Sequence, residues 1–130
     1  MNLVTVREFK LFLGQSGYDY PAKLLEDQVD QDPIRHVSQV DALAYCAHTG
    51  MHLPSEEEWI QGREGQDGKI GFPLAGLYEI TGTLDGGYAV LRGGSWLNLR
   101  DLARCTDRDR FNPAFRDYFI GFRCSRKAVV

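Results

Sequence analysis

The 130-residue chain has no run of about eighteen apolar residues, so it offers no membrane-spanning helix. Its opening, MNLVTVREFK, carries Arg7 and Glu8 early and lacks the apolar stretch of a secretory signal. It has no CxxC pair, no GxSxG nucleophile elbow and no Ser/His/Asp set at a supporting spacing. The glycines at 82, 86 and 87 match no phosphate-binding fingerprint. A formal net charge of −3 gives no basis for generic nucleic-acid binding. Membrane insertion and nucleic acid are therefore set aside, and the expected location is the cytoplasm or the surface of a virion or assembly.

A more local absence is more informative. Residues 97–126, LNLRDLARCTDRDRFNPAFRDYFIGFRCSR, contain no Lys, Glu, Gln, Met or Trp. The preceding 96 residues contain twenty of these. At that frequency thirty consecutive absences arise by chance roughly once in a thousand. These five are the residue types that no codon ending in cytosine encodes. The segment also holds seven Arg and four Asp, a net +3, so the remainder of the chain is −6. The structural reading of so many arginines is as planar, multidentate donors.

What is present is ordinary for one globular domain large enough to bury a core. Apolar residues make up 43% and charged residues 25%. Cysteine is scarce, at 46, 105 and 124 only. An odd number without a close pair suits buried free thiols in a reducing compartment. A Cys105–Cys124 bridge that leaves Cys46 over is the oxidised alternative, and the spacing does not choose between them.

Three helix starts share one signature. Thr5-Val-Arg-Glu8, Ser38-Gln-Val-Asp41 and Ser55-Glu-Glu-Glu58 each set a hydroxyl three residues before an acid, the pattern of a capping box. Asp41 is the shortest and weakest of the three partners. The predicted helices span about 5–15, 38–49 and 55–64. They bury Val6, Phe9 and Leu13; then Val40, Leu43, Ala44 and Ala47; then Trp59 and Ile60. Beyond residue 65, glycine becomes frequent and short β-rich runs follow at 77–81, 88–92, 103–108 and 120–126. Asp85-Gly86-Gly87 reads as a hairpin turn. Helices first and an antiparallel sheet later make an α+β domain.

His48 and His52 have helical metal-ligand spacing, but Gly50 lies between them and no HExxH glutamate accompanies them. Helix-end and loop roles are expected, with no metal and no cofactor. Glu56–Glu58 occupy a first helical turn, where the dipole favours negative charge.

Four strings occur in order: Val37-Ser-Gln-Val-Asp-Ala-Leu-Ala-Tyr-Cys46, Leu53-Pro-Ser-Glu-Glu-Glu-Trp59, Arg92-Gly-Gly-Ser-Trp96 and Ile120-Gly-Phe-Arg123. Together they resemble the formylglycine-generating-enzyme-like, or sulfatase-modifying factor, family. VTVREFKLFLGQSGY at 4–18 is similar to its opening helix, and AGLYEIT at 75–81 to one of its strands. The resemblance covers nearly the whole chain. It implies a C-type lectin-like fold, with two to three helices on a short, irregular antiparallel sheet. The family's oxidases bind copper through a cysteine pair. Cys105 is similar to the second member, but Arg100 stands five residues earlier, where the first is expected. The oxidase chemistry is therefore not carried over.

A narrower resemblance concerns the segment after Trp96. Variable proteins of diversity-generating retroelements use this fold, with RGGSW and IGFR flanking positions templated by AAC codons. Randomising those adenines gives NNC, which cannot encode the five missing types. The resemblance implies a scaffold at 1–96, a variable ligand-binding region at 97–119 and a closing strand at 120–126. Arg100, Ala103, Arg104, Arg108, Arg110, Pro113 and Arg116 look like framework. The interleaved, variable positions are Leu97, Asn98, Leu99, Asp101, Leu102, Thr106, Asp107, Asp109, Phe111, Asn112, Ala114, Phe115, Asp117, Tyr118 and Phe119. The implied function is non-covalent recognition of an unknown protein or other macromolecule, without catalysis. The alternatives are an oxidase with a changed site and a structural part of a viral or surface assembly.

Overall fold

Each helix begins with a local solution to its unpaired N–H groups. In the computed structural model, which describes residues 3–64, 77–93 and 108–126, α1 spans Val6–Ser16. Thr5 Oγ1 accepts from the Glu8 N–H at 3.2 Å, and Glu8 Oε1 accepts from the Thr5 N–H at 2.9 Å. The helix ends at Gly17, whose φ of +70° suits a residue without a side chain. Val6, Phe9 and Phe12 face the core, whereas Leu13, predicted there, is only half-buried.

The second helix, α2 (Gln39–His48), departs further from prediction. Asp41, ranked weakest of the caps, completes its box with Ser38 and is wholly buried. Val40 and Leu43, predicted as core, are each 47% exposed. Periodicity assigned the wrong face because two polar residues have partners inside. Gln39 Nε2 donates to Thr81 O at 3.0 Å, and Asp41 meets groups from two other segments. With Ala42, Tyr45 and Cys46 these fill the inward face. After β1 (Met51–His52), α3 (Glu56–Glu64) is capped by Ser55. It buries Trp59 completely, but Ile60 stays half-exposed.

A four-stranded sheet follows in the order β4-β3-β2-β5. Its strands are β2 (Tyr78–Asp85), β3 (Tyr88–Gly93), β4 (Arg108–Phe111) and β5 (Ile120–Gly121). The Asp85-Gly-Gly turn closes the β2–β3 hairpin, with φ of +61° and +85° at the two glycines. The α+β, C-type lectin-like expectation holds, but the sheet is mixed. β5 runs parallel to β2, pairing Tyr78 with Ile120 and Glu79 with Gly121. The predicted strand at 120–126 is two pieces. Its second, β6 (Ser125–Arg126), pairs with β1 in a separate two-stranded sheet. Of the predicted 103–108 strand, only Arg108 lies within the described residues, and it opens β4.

Phe9, Tyr45 and Phe122 meet at the centre, with ring centroids 5.5–6.5 Å apart. Cys46 and Cys124 are joined in a disulfide, with Cα atoms 6.0 Å apart. This replaces both cysteine readings for that pair, the free thiols and the Cys105–Cys124 bridge; Cys105 itself lies outside the described residues. Beside this core, Glu79 and Arg123 form an ion pair in which each side chain is 1% exposed. Glu79 Oε1 accepts from Arg123 Nε at 2.6 Å and from Trp59 Nε1 at 2.9 Å; Oε2 accepts from Arg123 Nη2 at 2.9 Å. Three separated strings thus meet on one carboxylate. Leu3 and Arg123 form a backbone bridge, and the Val4 N–H donates to Phe122 O at 2.9 Å. Among the described residues, no helix is long and apolar enough to cross a membrane.

Candidate functional site

The described part of the candidate surface is β4 and the loop from Asn112 to Phe119. Two arginine anchors fix its ends. On β4, Arg108 forms an ion pair with Glu56 and donates to Asp85 Oδ2 at 3.1 Å. Glu56 also accepts from Arg92 Nη1 at 3.2 Å. The hydrogen bond from Arg108 is the main reason that the Glu56 carboxyl sits below its ordinary range. Arg110 lies 3.6 Å from Asp85 and over the Tyr88 ring, 5.8 Å from its centroid. This strand is therefore held to the start of α3 and to the hairpin turn.

The second anchor is Arg116. Its Nε and Nη2 each donate to Asp41 at 2.8 Å, in a two-pronged contact. Tyr18 donates its hydroxyl to the same carboxylate at 2.7 Å. Burial pushes the Asp41 carboxyl up, but Arg116, the Ser38 N–H and Tyr18 together bring it below the usual value. Desolvation first, then the Asp41 contact, push the Tyr18 hydroxyl up to about 12. The Arg116 guanidinium also lies 5.0 Å from the centre of the Tyr20 ring.

Backbone contacts complete the support. The Val40 N–H donates to Pro113 O at 3.1 Å, the His36 N–H to Asp117 O at 3.0 Å and the Tyr78 N–H to Phe119 O at 2.8 Å. Asn112 turns the chain by accepting from the Ala114 N–H at its side chain and from the Phe115 N–H at its carbonyl. His36 holds a φ of +60°, a left-handed conformation uncommon for a side-chain-bearing residue. Its carbonyl accepts from the Tyr20 hydroxyl at 2.8 Å. Arg35 donates to Tyr118 O at 3.2 Å and lies 4.6 Å from the Tyr118 ring centre.

Of the fifteen candidate positions, Leu97, Asn98, Leu99, Asp101, Leu102, Thr106 and Asp107 lie outside the described residues. The other eight divide by exposure. Asp109, Asn112, Ala114, Phe115 and Tyr118 are exposed; Phe111, Asp117 and Phe119 are half-buried. Phe111 packs against the core, and its outer face stacks on Phe115 with centroids 5.0 Å apart. Among the residues read as framework, Arg108, Arg110 and Arg116 each reach a carboxylate. Sequence reasoning missed the other half of this arrangement: Asp41, Tyr18, Arg35 and His36. Only Asp41 carried a signal, its capping position, and that pointed to a local role alone.

The surface offers aromatic faces, carboxylates and amides on a braced backbone. Among the described residues, no group of three His, Cys, Asp or Glu is placed to hold a metal ion. His48 instead contacts Gln15, and His52 contacts Glu58.

Comparison with known proteins agrees with this architecture. The model of the sulfatase-modifying factor enzyme 1-like domain matches residues 2–76 and 63–128. A serine/threonine-protein kinase pkn1 from Chlamydia pneumoniae is 38% identical over 77 residues, which cover 53% of this chain and 11% of the kinase. A pkn1 from Chlamydia caviae is 47% identical over 77 residues, with the same coverage. The inactive C-alpha-formylglycine-generating enzyme 2 of Bos taurus is 51% identical over 39 residues, 29% of this chain and 13% of that protein. The matched stretch is thus about an eighth or less of each relative's length. With the family model matching residues 2–76 and 63–128, almost all of it, the chain belongs to the sulfatase-modifying factor enzyme 1-like domain family.

Proposed function

We propose that this domain is a non-catalytic binding module whose 97–119 region recognises a macromolecular target and has been diversified by mutagenic retrohoming. The observation that carries the reading is the composition of 97–126, which lacks the five residue types that cytosine-ending codons cannot encode. The division of labour within 108–119 supports it. The arginines bind carboxylates of the scaffold, while Phe115 and Tyr118, on either side of Arg116, are 40% and 52% exposed. Aromatic rings give contact area at low entropic cost, and small polar groups add hydrogen bonds. A braced loop tolerates replacement because stability resides elsewhere.

Copper oxidation fits the residues poorly. Cys46 and Cys124 are bonded to each other, and Arg100 stands where a thiolate partner for Cys105 is expected. One relative is itself named an inactive enzyme, and others carry the matching stretch as a small part of a kinase. Both facts suit a domain used for something other than oxidation. The test is the DNA around the gene. The reading expects cytosine-ending codons at the variable positions and a nearby imperfect repeat, differing at adenines, close to a reverse-transcriptase gene. Codons without that ending, or the absence of such a repeat, sink it.

A further inference from the structure

We propose that the groove between α1 and α2 binds a small apolar group carrying one hydroxyl, which accepts from Tyr45 and donates to Glu8. Glu8, Leu11, Phe12 and Gln15 line one wall, on a single face of α1, and Tyr45 and His48 of α2 line the other. Tyr45 is the buried polar group of this site. It is 5% exposed, yet its hydroxyl has no hydrogen-bond partner among the described residues. The ring is not free to turn and find one. Phe9, Phe12 and Phe122 hold it, with centroids 6.1, 5.4 and 5.5 Å away. An unsatisfied hydroxyl at that depth costs free energy, which a ligand in the groove recovers. Burial first, then the Glu8 charge, push the Tyr45 hydroxyl above its ordinary range, so it keeps its proton and serves as a donor.

Glu8 is the matching acceptor, and its helix cap fixes it in advance. Its Oε1 accepts from the Thr5 N–H and hydroxyl at 2.9 and 3.1 Å, while Oε2 has no partner among the described residues. A donor and an acceptor thus face one groove. An ammonium group would give Glu8 a donor but Tyr45 no acceptor, and an ether the reverse. A hydroxyl serves both through one oxygen. Leu11, 57% exposed, and Phe12 supply the apolar surface for the body that carries it. The groove encloses about 240 Å³, below the roughly 300–1,000 Å³ of drug-sized sites, so that body is small. The His48 ring packs on Phe12 at 5.3 Å and its Nε2 lies 3.0 Å from Gln15 Oε1, which ties the two walls together. Preorganisation of this kind lowers the entropic cost of binding. None of the lining residues falls within 97–119, so this site is independent of the binding reading above.

The probes are p-cresol, p-xylene, p-methylanisole, p-toluamide, p-methylbenzylammonium and the capped tripeptide Gly-Tyr-Gly, titrated into the intact chain by NMR. The expected result is a saturable shift of the Leu11, Tyr45 and His48 signals with p-cresol, at a Kd on the order of millimolar. Tyr45→Phe keeps the ring and should weaken p-cresol binding about five- to tenfold, with no loss of stability, because the hydroxyl has no partner to lose. Leu11→Ser, at the exposed lip, should weaken it severalfold. Unchanged affinity in Tyr45→Phe overturns the proposal; should that variant fail to fold, unchanged affinity in Leu11→Ser does so. An equal response to p-xylene reduces the site to an apolar groove and overturns the hydroxyl assignment. So does an equal response to the methyl ether, the ammonium or the amide. Tighter binding of the tripeptide than of p-cresol assigns the hydroxyl to a partner protein's tyrosine, and the reverse order to a free molecule. No saturable shift with either removes this site alone, because the retrohoming reading depends on codons and gene context.

Discussion

Arg116 grips the buried carboxylate of Asp41 with two 2.8 Å hydrogen bonds, joining residues 75 positions apart. The contact ties the candidate loop to the N-terminal end of α2. Replacing Arg116 with Ala strands a buried charge and should cost about 3 kcal/mol, read from urea denaturation. Lys at this position restores one donor at best and should recover only part of the loss. A loss below about 1 kcal/mol would show that the loop does not depend on this anchor.

The same pair sets a pH dependence. The folded Asp41 carboxyl lies below its usual value of 3.8, so the folded state binds its proton less readily than the unfolded chain. The stabilisation is complete above about pH 4 and is lost as pH falls through the lower, folded value. Glu56 shifts in the same direction and adds to the effect. Asp41→Asn should be less stable than the parent at pH 7 and show a smaller further loss between pH 5 and 3.

Glu79 and Arg123 give a second, deeper test. Glu79→Gln or Arg123→Met alone should cost about 3–5 kcal/mol, because each leaves a buried partner charge. Trp59 donates to the same carboxylate, so its fluorescence should report the disturbance in Glu79→Gln. The double replacement should be less damaging than the sum of the singles, which a double-mutant cycle measures.

The Cys46–Cys124 bond closes a loop with a sequence separation of 78. Chain entropy then assigns it a contribution of up to about 4.5 kcal/mol. Cys46→Ala/Cys124→Ala should lower the denaturation midpoint accordingly. Peptide mass mapping without reductant should recover the two cysteines in one cross-linked fragment, and a Cys105-containing cross-link would contradict the pairing.

Phe115 and Tyr118 separate surface from core. Joint replacement by Ala should leave the domain folded, with a cost of about 1–2 kcal/mol for the lost Phe111–Phe115 and Arg35–Tyr118 contacts. Collapse of the fold, seen as loss of near-ultraviolet circular dichroism, would place them in the core and remove them from any binding surface.

These outcomes reflect what a sequence can encode locally. The three caps were legible because Thr5, Ser38 and Ser55 act on residues three positions away. The Asp85-Gly-Gly hairpin was legible for the same reason. The exposed face of α2 was not. Val40 and Leu43 carry the apolar period, but Gln39 and Asp41 find partners at Thr81 and Arg116, and those contacts rotate the helix. The parallel pairing of β5 and the choice of Cys46 for Cys124 also depend on distant segments. Within the candidate site, Arg108, Arg110 and Arg116 stood out as framework. Their acceptors at Glu56, Asp85 and Asp41 lie 23 to 75 residues upstream, beyond any local pattern.

The backbone bridge between Leu3 and Arg123 has a use outside the domain itself. It places the start of the described chain beside Arg123, three residues before the last described residue, Arg126. A unit with that geometry fits into a surface loop of another protein without prising the loop open. It also admits circular permutation, with a linker from the end of β6 back to the residues before α1, so that Cys124 and its disulfide are kept, and new ends cut at Gly86-Gly87. Insertion would carry the 108–119 surface to a new host with its arginine anchors untouched, whereas the permuted cut falls next to Asp85, which Arg108 and Arg110 reach.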